Sequence, residues 1–171
     1  MVRTSLPENC LVLIVPRHPQ RFDEVANLIE ERGFRWMRRS AWKSENLPSD
    51  VNVVLGDSMG EMFAYYAASD IAFIGGSLLP LGGQNLVEAL SCGKPVIVGP
   101  HTFNFAQITE DAIAFGLAVR INDADDLFTH LSDWIEDTSG LHDTSERASQ
   151  FTKLHRGATE KTLRLLSEVM R

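Results

Sequence analysis

Residues 10–15, Cys-Leu-Val-Leu-Ile-Val, form an unbroken apolar run rich in branched side chains, and this pattern constrains the fold more than any other feature of the chain. A strand with one wet face alternates. A run that is apolar at every position belongs to a strand covered on both faces, as in a parallel sheet flanked by helices. Related runs recur at residues 51–55, 71–74, 96–98 and 117–121, and residues 34–37 (Phe-Arg-Trp-Met) complete the set. Helical patterns fall between them. Residues 21–32 carry an apolar stripe of Phe22, Val25, Ala26, Leu28 and Ile29, stopped by Gly33. Further helices are expected to about Ala68, to Cys92 ahead of Gly93-Lys94-Pro95, from about Ala106 to Phe115, and from Ala124 with Leu127, Leu131, Trp134 and Ile135 on one face. After a break at Thr138-Ser139-Gly140, a last amphipathic pattern runs from Leu141 to Met170. Six strands alternating with helices predict an α/β, Rossmann-like, doubly wound parallel six-stranded sheet. At 171 residues the chain suits one domain, with no repeat and no interior linker.

In such sheets ligands sit beyond the carboxyl ends of the strands, and four junctions fall there: residues 16–19, 56–61, 75–88 and 99–105. The third carries four glycines within nine positions, Gly75, Gly76, Gly82 and Gly83, which implies main chain lying close to something, with a ligand as the first candidate. The helix opening near Asn85 offers free N–H groups to an anion such as a phosphate, and Glu88, one turn on, is placed to accept hydrogen bonds from sugar hydroxyls. The competing reading makes Asn85 a helix cap and Glu88 its capping-box partner. The loop follows a later strand, whereas a Gly-x-Gly-x-x-Gly dinucleotide fingerprint belongs in the first βα turn. A nucleotide-sugar site therefore fits better than a nicotinamide site.

Charge narrows the choice. The net charge of −7 argues against general nucleic-acid binding, and residues 44–146 hold only two bases, Lys94 and Arg120, against sixteen acids. A phosphate near the glycine loop then depends on main-chain amides and a base from elsewhere. Arg17, in Pro16-Arg17-His18-Pro19, is the candidate, since a guanidinium fork suits phosphate oxygens. The alternative is a solvated loop arginine, and His18 beside it is the weaker candidate. A donor with few negative charges fits such a site better than a diphosphate. Around Met59, the glycines Gly56 and Gly60 suggest main chain laid against a flat group such as a base, with Glu61 favouring the following helix N-terminus. His101 is a possible sugar contact, or else a buried, hydrogen-bonded loop histidine. The basic, aromatic stretch of Arg32, Arg35, Arg38, Arg39 and Lys43 with Trp36 and Trp42 reads either as a contact for anionic lipid or as a solvated edge with tryptophans under arginine stems. Two cysteines, Cys10 and Cys92, do not make a disulfide framework and point to a reducing compartment. No apolar run reaches the roughly 18 residues of a membrane span and no signal-peptide pattern opens the chain, so the fragment is expected to be soluble.

Five motifs in order, Pro16-Arg17-His18-Pro19-Gln20-Arg21-Phe22, Gly56-Asp57-Ser58-Met59-Gly60-Glu61, Gly75-Gly76-Ser77, Gly82-Gly83-Gln84-Asn85-Leu86-Val87-Glu88 and Gly99-Pro100-His101-Thr102-Phe103-Asn104-Phe105, resemble the C-terminal half of the 3-deoxy-D-manno-octulosonic acid (Kdo) transferases. These enzymes add Kdo to lipid A precursors in Gram-negative bacteria, in lipopolysaccharide biosynthesis. The likeness runs from about residue 10 to 121. It implies the C-terminal domain of a GT-B glycosyltransferase that binds the donor CMP-Kdo without a metal or other cofactor. It also implies an N-terminal half, absent from this chain, that carries the membrane anchor, the acceptor site for a lipid A precursor and the general base. The full protein would work at the cytoplasmic face of the inner membrane, and no catalytic residue is expected in this fragment. The resemblance puts Pro16 and Arg17, with His18 adjacent, on the phosphate side of CMP. It puts Met59, Gly60 and Glu61 against the cytidine, and Asn85, Leu86, Val87 and Glu88 on phosphate and ribose. Gly76, Ser77 and Gly83 complete the donor-binding set. Gln84 stands where histidine is frequent in the family and receives no acid–base role. CMP-Kdo carries one phosphodiester charge and one carboxylate, in keeping with the scarcity of bases. The implied reaction is an inverting displacement at the Kdo anomeric carbon; the lone fragment is expected to bind CMP weakly and to be inactive. The alternatives are a sugar-nucleotide epimerase-like protein, which needs more positive charge for its diphosphate, and a non-catalytic nucleotide-sensing module.

Overall fold

A computed structural model describes residues 10–43, 46–136, 139–154, 163 and 166–168. The far end of the last amphipathic pattern therefore lies largely outside the described residues. All six expected strands are present, and every described pairing is parallel. The chain divides into two compact units, Met1–Ser69 and Asp70–Arg171, and the described ladders join the strands as two triplets.

In the first unit, β1 (Val12–Ile14) leads through a 3-10 turn into α1 (Phe22–Glu31), then β2 (Trp36–Arg38), β3 (Val53–Leu55) and α2 (Met62–Ala68). The strand order is β1-β3-β2, with Val53 aligned to both Val12 and Trp36. The late strand β3 sits in the centre, so its apolar run is buried at every position, whereas β1, with an equally apolar run, is half-buried. Ala26 and Ile29 of α1 close over Val53 and Leu55, with Val12, Ile14, Val25, Phe34 and Trp36 packed around them. Asp23 and Glu24 in the first turn of α1 suit the positive end of the helix.

In the second unit, β4 (Ala72–Phe73), α3 (Val87–Ser91), β5 (Val96–Val98), α4 (Ala106–Ala114), β6 (Ala118–Arg120), α5 (Ala124–Glu136) and α6 (Ser139–Leu154) follow in order. The strand order is β4-β5-β6, and central β5 is again fully buried. Ile97, Ile121 and Leu127 form a core with Ile71, Leu78, Val119, Leu131 and Trp134 around it. Phe151 of α6 is fully buried and meets Phe115 edge-on, ring centroids 5.4 Å apart. Among the described residues no helix is long and apolar enough to cross a membrane.

Candidate functional site

Because the strands of each triplet are parallel, their carboxyl ends share one edge of their own sheet. In the first unit that edge carries residues 15–18 after β1, Arg39 and Ser40 after β2, and residues 56–61 after β3. The Gly56 amide donates to the Ile14 carbonyl at 2.8 Å, and a Cβ at Gly56 would meet Val15 at 2.9 Å and the Tyr65 ring at 3.2 Å. Glycine lets the two loops close on each other. Arg17 and His18 are exposed, and the His18 carbonyl accepts from the Arg21 amide at 3.0 Å to open the 3-10 turn. Arg17 takes part in none of the ion pairs formed among the described residues, whereas Arg21, Arg35, Arg38 and Arg39 are all paired with carboxylates.

Those pairs bear on the two readings of the basic, aromatic stretch. Arg38 bonds Asp23 at 2.6 Å and approaches Asp57 at 3.5 Å; Arg39 bonds Glu61 at 2.9 Å and lies over the Trp42 ring, 6.0 Å from its centroid. Arg35, Arg38 and Arg39 are paired, as a solvated edge requires, while Arg32 and Lys43 are exposed and enter none of the ion pairs formed among the described residues. Glu61 also differs from expectation. It occupies the N-cap position of α2 without a side-chain cap bond. Its carboxylate instead accepts from Arg39, from the Ser58 hydroxyl and from the Tyr65 hydroxyl at 3.2 Å. The Ser58 bond, with help from the Arg39 charge, holds the Glu61 carboxyl below its ordinary range although burial opposes it. Ser58, Glu61 and Tyr65 are spaced three and four apart where the loop enters α2, Glu61 at its N-cap and Tyr65 within it, a spacing visible in the sequence. Ser40 and Asp57 had no such signal. Asp57, its side chain only 5% exposed, accepts the Ser40 amide at 2.8 Å and the Ser40 hydroxyl at 2.6 Å. Burial pushes the Asp57 carboxyl up, but the Ser40 bonds and Arg38 outweigh it and leave it below the usual carboxylate range. Met59 and Gly60 stand exposed between these anchors.

In the second unit the loops after β4 and β5 are laced together by main chain. Gly83 donates to the Gly76 carbonyl at 3.0 Å and Gln84 to the Gly75 carbonyl at 3.2 Å, folding residues 75–84 back on themselves. Asn104 donates its amide to Gly82 at 3.1 Å and its side chain to the Leu81 carbonyl at 3.2 Å. The glycines here have a different reason from the one expected. Gly82 takes φ +88°, and a Cβ there would lie 2.6 Å from the Phe103 ring and closer still to Asn104. At Gly99 a Cβ would come within 2.6 Å of the Leu78 nitrogen and nearer to the Ser77 carbonyl. Gly83, with 3.4 Å to the His101 carbonyl, is also close-packed. What these glycines lie against is the protein itself; only Gly75, with nothing within 4 Å, leaves its side open.

Ser77, expected among the donor contacts, has a fully buried side chain. Its hydroxyl donates to the Ile74 carbonyl at 2.5 Å and accepts from the Gly99 amide at 2.8 Å. It ties the loop to β5. Asn85 and Glu88 engage each other: Asn85 accepts from the Val87 amide at 3.0 Å and donates to the Glu88 carboxylate at 3.2 Å. The Val87 bond is cap-like, but the capping box of the competing reading is not formed: Glu88 meets the side chain of Asn85, and the N-cap of the five-residue helix α3 is Leu86, without a side-chain cap bond. Leu86 is buried, main chain included. His101 is half-buried, its amide donating to the Ser77 carbonyl at 2.9 Å. Arg120 is drawn to Glu110 at 2.7 Å and to the buried Thr102 hydroxyl at 3.2 Å. No group of three or more His, Cys, Asp or Glu side chains among the described residues could hold a metal ion.

Residues 32–152 match the family model "Glycosyl transferases group 1". A 3-deoxy-D-manno-octulosonic acid transferase of Bordetella pertussis is 48% identical over 158 residues, 92% of this chain and 37% of that protein. Another, from Haemophilus influenzae, is 45% identical over 119 residues, covering 69% of this chain and 27% of its own length. The chain thus spans well under half of these curated relatives. Among solved structures, the C-terminal CMP-Kdo binding domain of WaaA from Acinetobacter baumannii is similar with a TM-score of 0.71 at 33% identity, over 85% of this chain and 74% of that one. With its parallel α/β units and strand-end loops, the chain belongs to the group 1 glycosyltransferases and, within them, to the C-terminal domains of the Kdo transferases, which have the GT-B fold.

Proposed function

We propose that this chain binds the nucleotide of CMP-Kdo and that, joined to an N-terminal half bearing the acceptor site, it transfers Kdo to a lipid A precursor at the cytoplasmic face of the inner membrane. The observation that carries this reading is the match, over most of both chains, to a domain whose name states that it binds CMP-Kdo. In the first unit, Arg17 is the cation for the phosphate: it stands exposed at a strand end while neighbouring arginines are paired. Pro16 and His18 flank it, and Met59, Gly60 and Glu61 take the cytidine. In the second unit, Gly76, Ser77, Gly83 and Asn85 to Glu88 serve phosphate and ribose. Ser77 and Leu86, buried main chain included, serve by holding the loop in place, and Glu88 must exchange its bond from Asn85 for one from a ribose hydroxyl.

In the reaction the acceptor hydroxyl attacks the anomeric carbon of Kdo, the bond from that carbon to the phosphate oxygen breaks with inversion, and CMP leaves. The acceptor proton passes to a base on the other half. The share of this chain is to orient the donor and to stabilise charge on the departing phosphate, with no metal. By itself the chain binds CMP weakly and transfers nothing. Calorimetry with CMP, UMP and UDP tests the reading: CMP should bind best, and equal or stronger binding of UDP favours an epimerase-like protein. Arg17→Ala should weaken CMP by about 1.5–3 kcal/mol, as for a charge-assisted hydrogen bond; unchanged affinity removes Arg17 from the site. Supplying the N-terminal half and finding no transfer would favour a sensing module.

A further inference from the structure

We infer that Asp57 and Ser40, together with the Arg39–Glu61 pair, are positioning residues that fix the Met59–Gly60 tip so that its main chain distinguishes cytosine from other bases. The inference rests on the reading of this chain as a CMP-binding domain. The tip itself is two residues long and exposed, with Met59 at 68%. Gly60 takes φ +83°, and no atom lies within 4 Å of the place a Cβ would occupy. A planar ring has room there, against bare main chain.

An anchor stands on either side of this tip, and both draw on the residues after β2. Before it, Asp57 takes two hydrogen bonds from the single residue Ser40, at 2.8 and 2.6 Å, and is nearly sealed from solvent. After it, Glu61 is held by Arg39 at 2.9 Å and by the Ser58 hydroxyl. Glu61 apart, none of these side chains is needed to touch a base. Their effect is to remove the freedom of the segment between them. Main-chain groups can read a base edge only when their direction is set: cytosine offers an amino donor and a ring-nitrogen acceptor where uracil offers an acceptor and a donor. An unclamped tip reorients to suit either base, and loses its conformational entropy on binding instead of on folding. A phosphate contact makes no such demand on this tip. Loss of the clamp therefore erodes base preference and spares affinity for the sugar phosphate.

The test is calorimetry of the wild-type chain, Ser40→Ala and Asp57→Asn with CMP, UMP and ribose 5-phosphate. The wild type should prefer CMP to UMP. Each variant should bind CMP about tenfold more weakly, the equivalent of roughly one net hydrogen bond. Its CMP-to-UMP ratio should fall toward one, and ribose 5-phosphate affinity should be unchanged. A variant that keeps the wild-type ratio overturns the inference, as does an equal loss on all three ligands, which reports general damage. Ser40 is exposed, so Ser40→Ala opens no cavity and decides the matter where Asp57→Asn does not fold. A wild-type chain that binds CMP without preferring it to UMP defeats the base-reading tip while leaving nucleotide binding intact; one that binds no ligand removes the CMP reading and this inference with it.

Discussion

After β3 the first unit holds its loop with charge: Asp57 against Ser40 and Arg38, Glu61 against Arg39 and Ser58. After β4 the second unit holds its loop with main chain: Gly83 to Gly76, Asn104 to Gly82, and the buried Ser77 to Gly99. Both loops leave a sheet at the same kind of place, yet they fail in different ways. A charged clamp on a part-exposed edge loosens when a carboxylate takes up a proton, and its energy is modest because solvent competes for both partners. A main-chain lattice with no room for a Cβ is indifferent to charge and intolerant of volume.

The largest effect should come from adding volume to the main-chain lattice of the second unit. Gly99→Ala drives a methyl group into the Ser77–Leu78 main chain, which has no flexible end to swing aside, and should cost about 3 kcal/mol or more, the upper range for overpacking. Ser77→Ala removes volume and leaves the Gly99 amide and the Ile74 carbonyl without the partners they have. It should cost about 2–3 kcal/mol, since each buried group left unsatisfied carries its own desolvation penalty. Both are read by urea denaturation. If Gly99→Ala melts like wild type, the loop is adaptable and the contrast between the units is wrong.

Much of the fold was legible because burial on both faces leaves an unbroken apolar run, and the strands lie within residues 10–15, 51–55, 71–74, 96–98 and 117–121. The run alone did not tell which strand is central, since β1 and β3 read alike until pairing places β3 between β1 and β2. Positions of the loops were legible from glycine and proline, but the reason for Gly82 and Gly99 was not. Their neighbours Asn104 and Ser77 lie 22 residues away in sequence, and no local pattern announces such a contact. The Ser40–Asp57 bond, across 17 residues, was hidden likewise, whereas Ser58, Glu61 and Tyr65 follow a helical spacing that local inspection can find.

An intermediate effect belongs to the charged clamp of the first unit, and its sign follows from proton linkage. The folded state lowers the pKa of Asp57 and of Glu61. On acidification the unfolded chain binds protons first, near the ordinary carboxylate range of about 4, so stability contributed above that pH is lost as pH falls through the lower folded values. Asp57→Asn should cost about 1–2 kcal/mol at neutral pH, as for a hydrogen bond to a charged group, and should match wild type more closely as pH falls through the lowered value of Asp57 in the folded chain. Ser77→Ala, which removes no charge, should keep the wild-type acid slope. Among the described residues of the second unit the carboxylate held low is Asp126, by the amide and side chain of Asn122, and it lies outside the 75–84 loop. Parallel pH profiles for Asp57→Asn and wild type would mean that charge does not hold the first loop.

The smallest effect sharpens where the clamp is. Arg35 and Asp50 lie in the same unit, on the same basic stretch, but their side chains are 69% and 62% exposed and their nearest atoms 3.7 Å apart. Exposed pairs of this kind contribute about 0–0.5 kcal/mol after side-chain entropy and solvent screening. Arg35→Ala should therefore move the denaturation midpoint little and leave CMP affinity unchanged, while Arg39→Ala, which strips Glu61 of its cation, should weaken CMP measurably. Equal effects at the two positions would mean that the stretch acts through its total charge. Unequal effects in the expected direction assign the role to the two anchors beside Met59 and Gly60, where geometry, and not the number of arginines, sets what the loop can recognise.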